Sequence, residues 1–252
     1  MAHTMDIVGF DGVQRRFEHK DILPEKIKED KAYVDILAQI AGYTMTVANG
    51  ASVTYNLFNS VKYIVQNRIE GDFVECGVWK GGSMMLVACA LQYFKDSTRN
   101  LYLYDTFGGM TEPDDIDIDF DGCNLKEIWK SAHQKGEKLG YGCSLDMVKA
   151  NMSRTRYPEN LMHFVEGDVL KTIPETVPEK IALLRLDTDF YHSTLHELKH
   201  LYPLVVSNGV IYIDDYGWCE GARQATDQFL ETLEFRPFLV RIDECVRVLI
   251  KR

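Results

Sequence analysis

The chain has 252 residues, 46% of them hydrophobic, enough for one substantial core at a size that a single α/β domain reaches without splitting. Its formal net charge of −10 excludes a partner gripped through a nucleic-acid phosphate backbone and points to a small molecule instead. No apolar run approaches a membrane span, and the first residues, Met1 to Asp6, lack the basic-then-apolar pattern of a secretory leader, so a cytoplasmic protein with no membrane partner is expected.

Residues 1–68 are expected to form a helical extension of the same domain, because Leu57, Val61, Ile64 and Val65 recur at helical spacing between Pro24 and Arg68. From 69 to 252, short β-rich runs at 72–76, 100–105, 162–168, 181–187 and 209–215 alternate with helical stretches near 83–94, 145–154, 195–202 and 222–233. That alternation predicts an α/β fold with a doubly wound parallel sheet covered on both faces. Two further apolar runs, 236–242 and 245–251, are separated only by Asp243 and Glu244, a spacing that forces an antiparallel C-terminal hairpin. A doubly wound sheet closed in this way resembles the class I methyltransferase (Rossmann-like) arrangement. Six cysteines, with no Cys-x-x-Cys pair among them, read as reduced packing thiols.

Nearly every predicted strand ends in an acid: Glu75, Asp105, Asp168, Asp187, and Asp214 with Asp215. One such acid is commonly a helix cap, but ligands of open α/β sheets bind at the carboxyl edge of the strands, and five strands in succession predict a shared crevice. The first turn runs Glu75-Cys-Gly77-Val-Trp-Lys-Gly81-Gly82-Ser83 straight into a helix. Its glycines allow close backbone approach to a ligand, and the helix N-terminus favours an anionic group. It is not the Gly-x-Gly-x-x-Gly dinucleotide fingerprint, and Glu75 suits a zwitterionic or sulfonium-bearing ligand better than a pyrophosphate. Asp105 is placed for a ribose diol, which nicotinamide cofactors and S-adenosylmethionine share, and Asp168 for an adenine amine.

The fourth strand leads into Asp187-Thr-Asp189-Phe-Tyr191-His192-Ser193-Thr194, and the fifth into Asp214-Asp215-Tyr216. Carboxylates gathered this closely repel unless they surround a hard cation with oxygen ligands, usually Mg²⁺. Asp187, Asp214 and Asp215 are the expected ligands. Such a cation would stabilise an alkoxide forming from a hydroxyl, with Asp189 taking the proton and His192 as the competing base. Thr194 and Glu197 match a capping box, so the following helix is expected to begin after His192, with Leu195, Leu198 and Leu201 buried and His196 and His200 on the surface. The acid-rich stretch from Glu112 to Asp121 reads either as a solvated loop or as a flap over the site.

Four motifs, Glu-x-Gly-x-Trp-x-Gly-Gly from Glu75 to Gly82, Tyr-Asp-Thr-Phe-x-Gly from Tyr104 to Gly109, Asp-x-Asp-x-Tyr-x-Ser-Thr from Asp187 to Thr194, and Asp-Asp-Tyr from Asp214 to Tyr216, resemble the TylF family. That family contains the macrocin, mycinamicin and noviose sugar O-methyltransferases, and the likeness runs from about Thr44 to Arg223. It implies Mg²⁺-dependent methyl transfer from S-adenosylmethionine to a sugar hydroxyl of a glycoside. Asp187, Asp214 and Asp215 would hold the metal, and Asp189 would be the base. Thr44, Met45, Glu75, Gly77, Gly81, Ser83, Asp105, Thr106 and Asp168 would hold the donor, and Arg223 matches an arginine that follows Asp-Asp-Tyr. Self-association through the N-terminal helices, giving a homo-oligomer, is also implied. Two departures stand out: Thr54-Tyr55-Asn56-Leu57 replaces an Arg-Leu pair, and the stretch from Met110 to Tyr141, the expected acceptor lid, is this chain's own.

Three rival readings remain at this level. An NAD(P)-dependent reductase lacks both its glycine fingerprint and a Tyr-x-x-x-Lys pair here. A catechol or phenol O-methyltransferase shares the metal logic, and Phe107, Phe120, Trp129 and Tyr141 among the lid acids do not decide against it. A non-catalytic binding protein would be marked by loss of the metal acids, and all are present.

Overall fold

The computed structural model describes residues 4–8, 14–18, 27, 29–46, 51–136 and 142–252. The chain opens with an antiparallel pair, β1 (Thr4–Val8) and β2 (Gln14–Glu18), followed by α1 (Lys31–Ile40) and α2 (Ser52–Gln66). Among the described residues, the N-terminal extension thus opens with a strand pair and carries its helices from Lys31 onward; Pro24 lies outside the described residues.

The body follows as β3 (Asp72–Cys76), α3 (Gly82–Tyr93), β4 (Leu101–Asp105), α4 (Leu125–Gln134), α5 (Leu145–Ser153), β5 (Met162–Glu166), α6 (Val169–Thr172), β6 (Ile181–Leu186), α7 (Tyr191–Leu201), β7 (Val205–Ile213), α8 (Glu220–Glu231), β8 (Val240–Arg241) and β9 (Arg247–Ile250). One seven-stranded sheet runs β5-β4-β3-β6-β7-β9-β8. The first five strands are parallel, and β9 inserts antiparallel between β7 and β8. The expected class I methyltransferase arrangement is thus the observed one. The third strand of the body stops at Glu166, short of Asp168, because Asp168 leaves the sheet to cap α6.

Every residue of β6, Ile-Ala-Leu-Leu-Arg-Leu, is buried, as a central parallel strand covered on both faces requires. Successive side chains of a strand point to opposite faces, so Phe73 and Leu183 pack with α1, α2 and α3, while Val74 and Leu184 pack with α7 and α8. The sequence of α3 is apolar nearly all round, and nine of its twelve residues are buried between the sheet and the N-terminal helices. Tyr33 of α1 bonds Thr54 of α2 at 2.7 Å, and Tyr212 of β7 bonds Asn56 and Ser60 of α2, which docks the extension on the sheet. No disulfide joins any of the six cysteines. Among the described residues, no helix is long and apolar enough to cross a membrane.

Candidate active site

The chain runs outward from β3 through β4 to β5, then returns to lay β6 on the other side of β3. Strand order reverses there, and the crevice outside the carboxyl ends of β3 and β6 is where such a sheet binds ligands. A cavity of about 640 Å³ opens at this point. Its floor is charged. Glu75 and Arg185 are register partners on the two central strands, and Arg185 Nη1 lies 2.6 Å from Glu75 Oε1. Both are almost fully buried. The same guanidinium reaches Asp187 at 2.5 Å and Asp214 at 2.7 Å, so one cation sits under three carboxylates.

The first loop is built by close approach. Gly77 has φ +82°, and a Cβ there would stand 1.8 Å from the Asp187 carbonyl oxygen, so the glycine lets the β3 loop pass against the end of β6. Asp105, at the end of β4, accepts the backbone N–H groups of Val78 and Trp79 on one oxygen and of Phe107 on the other. Its carboxylate therefore shapes both loops that bound the cavity, in addition to lining it. Gly82 donates its N–H to Tyr43 at 3.0 Å, and a Cβ on it would collide with that carbonyl, which brings Thr44 and Met45 against the cavity beside Ser83. Thr106 bonds the Gly109 carbonyl, and Asp168 accepts from Leu170 N; both also line the cavity. Gly81 does not line it; it caps α3 in the left-handed conformation behind the loop.

On the opposite wall, one oxygen from each of Asp187, Asp214 and Asp215 lies within 4.8 Å of the others. Asp189 lines the same wall in a left-handed backbone conformation, φ +65°, and its N–H donates to Asp215 Oδ2 at 3.1 Å. Withdrawal from water, and then the neighbouring carboxylates, push the Asp189 and Asp215 carboxyls well above their ordinary range. Burial does the same to Asp214 and outweighs Arg185, which pulls it down. Glu75 is pushed up to about 8 by burial, against the pull of Arg185.

His192 stands apart. It is on the first turn of α7, largely exposed, with Nε2 2.9 Å from Asp114 Oδ2, and it does not line the cavity. The helix begins at Tyr191, before His192, so Thr194 and Glu197 lie inside it and form no capping box. Both are buried, and Glu197 receives the Thr188 hydroxyl between Asp187 and Asp189. His196 is half-buried and bonds the Ile173 carbonyl, rather than standing free on the surface. Arg223 pairs with Glu220 on α8, away from the cavity.

These motifs and this fold have known counterparts. A family model described as macrocin O-methyltransferase (TylF) matches residues 12–250. The chain belongs to the TylF family. It is accordingly an S-adenosylmethionine-dependent O-methyltransferase. Demethyldecarbamoylnovobiocin O-methyltransferase of Streptomyces niveus is 28% identical over 188 residues, 75% of this chain and 69% of that protein. Mycinamicin III 3''-O-methyltransferase of Micromonospora griseorubida is 30% identical over 189 residues, 75% of this chain and 71% of that protein. The solved structure of the O-methyltransferase NovP matches with a TM-score of 0.70 at 25% identity, covering 81% of each chain.

Two residues of this TylF-family site escape sequence reasoning. Glu197 supports Thr188 from inside α7, and Asp117, one of the acids read as a solvated loop or a flap, is 1% exposed and bonds the first N–H of α7. The spacing of acids in the 112–121 stretch gives no sign that one of them is buried. A Thr-x-x-Glu pattern does not say whether it starts a helix or lies within one.

Proposed function

We propose that this enzyme methylates a sugar hydroxyl on a natural product, with Mg²⁺ held by Asp187, Asp214 and Asp215 and with Asp189 as the base. The observation that carries the reading is the convergence of three carboxylate oxygens within 4.8 Å on the cavity wall that also presents Asp189. The residues fit a hard divalent cation: the donors are all carboxylate oxygens, one from each of three aspartates converging at the cavity. Glycoside acceptors are supported by the relatives, which carry novobiocin and mycinamicin names. The net charge of −10 supports the absence of a nucleic-acid partner. A cytoplasmic homo-oligomer and an acceptor lid over 110–141, whose last five residues lie outside the described ones, belong to the same reading.

When bound, the donor supplies the methyl group and the cation lowers the cost of negative charge on the acceptor oxygen. The chain's own residues do the rest. Arg185 holds Asp187 and Asp214 in place from below, and Asp215 fixes the Asp189 backbone through its N–H. The Asp189 carboxylate takes the hydroxyl proton as the oxygen is alkylated. Thr44, Met45 and Met110 line the cavity, and their apolar groups would disfavour water as a competing acceptor there.

The test is calorimetric titration of S-adenosylmethionine with and without Mg²⁺, followed by transfer of labelled methyl to a panel of deoxysugar glycosides and of catechols. Donor binding with metal-dependent labelling of glycosides, lost in Asp189→Asn, is the expected result. Labelling of catechols alone, or labelling unaffected by chelation, would overturn the sugar or the metal part respectively.

A further inference from the structure

The acid-rich segment between β4 and α4 is neither a solvated loop nor a loose flap. Ile118 and Asn124 bridge each other within it, and Asp119 bridges Cys219. Glu220 N donates to the Ile118 carbonyl at 2.9 Å, joining the segment to the start of α8. The segment is thus strapped to the loop that follows Asp214 and Asp215. Asp117 ties it to the other acid-bearing loop. Its Oδ1 accepts Tyr191 N at 2.8 Å and its Oδ2 accepts Asp114 N at 2.7 Å, with the side chain withdrawn from water.

Tyr191 is the first residue of α7, and the residue before it, Phe190, has no side chain that can cap the helix. The first N–H groups of a helix have no partner within it. Here a carboxylate 74 residues away in the chain serves one of them. Room for it is made from a third direction: a Cβ on Gly221 would stand 1.8 Å from Asp117 Oδ1. One carboxylate is therefore enclosed by the strap, the start of α7 and the start of α8.

The chain between Asp187 and α7 contains the left-handed Asp189, a conformation that persists in a non-glycine residue only where its surroundings fix it. Its N–H is held by Asp215, and two residues later the Tyr191 N–H is held by Asp117. We propose that Asp117 is a positioning residue for methyl transfer: it clamps the backbone that carries Asp189 and couples that backbone to the strap over the acceptor side. The role assigned to Asp189 rests on the function proposed above; the clamp does not.

The experiment compares full-length wild type with Asp117→Ala, Gly221→Ala and the double variant. Gly221→Ala leaves the carboxylate in the chain but displaces it, so it reaches the same clamp without touching Asp117. In both single variants, amide exchange at Asp189 to Tyr191 should accelerate about tenfold or more, the size expected for losing a bond to a charged acceptor. Affinity for S-adenosylhomocysteine should stay within about twofold, while kcat on the acceptor found above falls about tenfold and KM holds. The double variant should be no worse than the poorer single one, because both act on one contact. Faster exchange with kcat unchanged would reduce Asp117 to a helix cap and overturn the proposal. So would additive losses, or a joint loss of cofactor affinity and melting temperature. If exchange behaves as expected and no sugar is methylated, the clamp stands and the acceptor assignment fails.

Discussion

Glu75 and Arg185 face each other in register across the two central strands, and their side chains meet at 2.6 Å with 1% and 3% exposure. Water cannot solvate either charge, and the guanidinium also serves Asp187 and Asp214. Replacing Arg185 by Met removes the cation under the carboxylates and leaves them uncompensated. Breaking a buried network from one side costs about 3–5 kcal/mol. Urea unfolding of Arg185→Met should show a loss of that order; a loss below about 1 kcal/mol would mean that the acids simply take up protons and the network is not a stabilising unit.

Gly77 makes a second prediction, independent of charge. Its φ of +82° and the 1.8 Å separation of a would-be Cβ from the Asp187 carbonyl leave no room for alanine. Gly77→Ala should cost about 1–3 kcal/mol through forced backbone movement. The urea midpoint should drop with an unchanged slope, since the surface exposed on unfolding is the same. An alanine variant as stable as wild type would show that the β3 loop is free to move away from β6.

Chelation offers a third. With Asp187, Asp214 and Asp215 as ligands, EDTA should abolish methyl transfer and Mg²⁺ should restore it. In Asp215→Ala restoration should fail, with kcat down by roughly a hundredfold, the scale of several kcal/mol of lost charge stabilisation. Mn²⁺ titration followed by electron paramagnetic resonance reads the same site without turnover. Unchanged Mn²⁺ affinity in Asp215→Ala would exclude that residue from the ligand set.

How much of this was legible in the sequence follows from the range of each interaction. The parallel sheet with its antiparallel C-terminal hairpin and the convergence of Asp187, Asp214 and Asp215 could be read because strand-end position is a local property, and the parallel topology then gathers the ends. Asp117 could not, since its partner Tyr191 is 74 residues away and the acids around it in the chain, among them the exposed Asp115 and Asp121, look the same in type. Asp105 shows an intermediate case. Its placement at the cavity is as expected, but its grip on the Val78, Trp79 and Phe107 amides depends on a loop path that residue types alone do not set. The β1–β2 pair was missed because apolar helical spacing in α2 was extended backwards over the whole N-terminal segment.

Glu197 carries the last prediction. Its carboxyl is fully buried, and desolvation first, then the nearby Asp187 charge, push it well above its ordinary value of 4.5, although the Thr188 hydroxyl opposes the shift. The folded protein therefore holds this proton more tightly than the unfolded chain does. Stability from Glu197 is complete below pH 4.5 and is lost progressively as pH rises towards the folded-state value. Glutamine cannot ionise, yet it keeps a carbonyl oxygen for the Thr188 hydroxyl. Glu197→Gln should thus flatten the decline of stability as pH rises above 4.5, and at the alkaline end it should equal or exceed wild type. Urea midpoints measured across that range decide the matter. Parallel curves for the two proteins would mean that Glu197 ionises alike in the folded and unfolded states, and that the Thr188 contact, not the proton, holds the loop between Asp187 and Asp189.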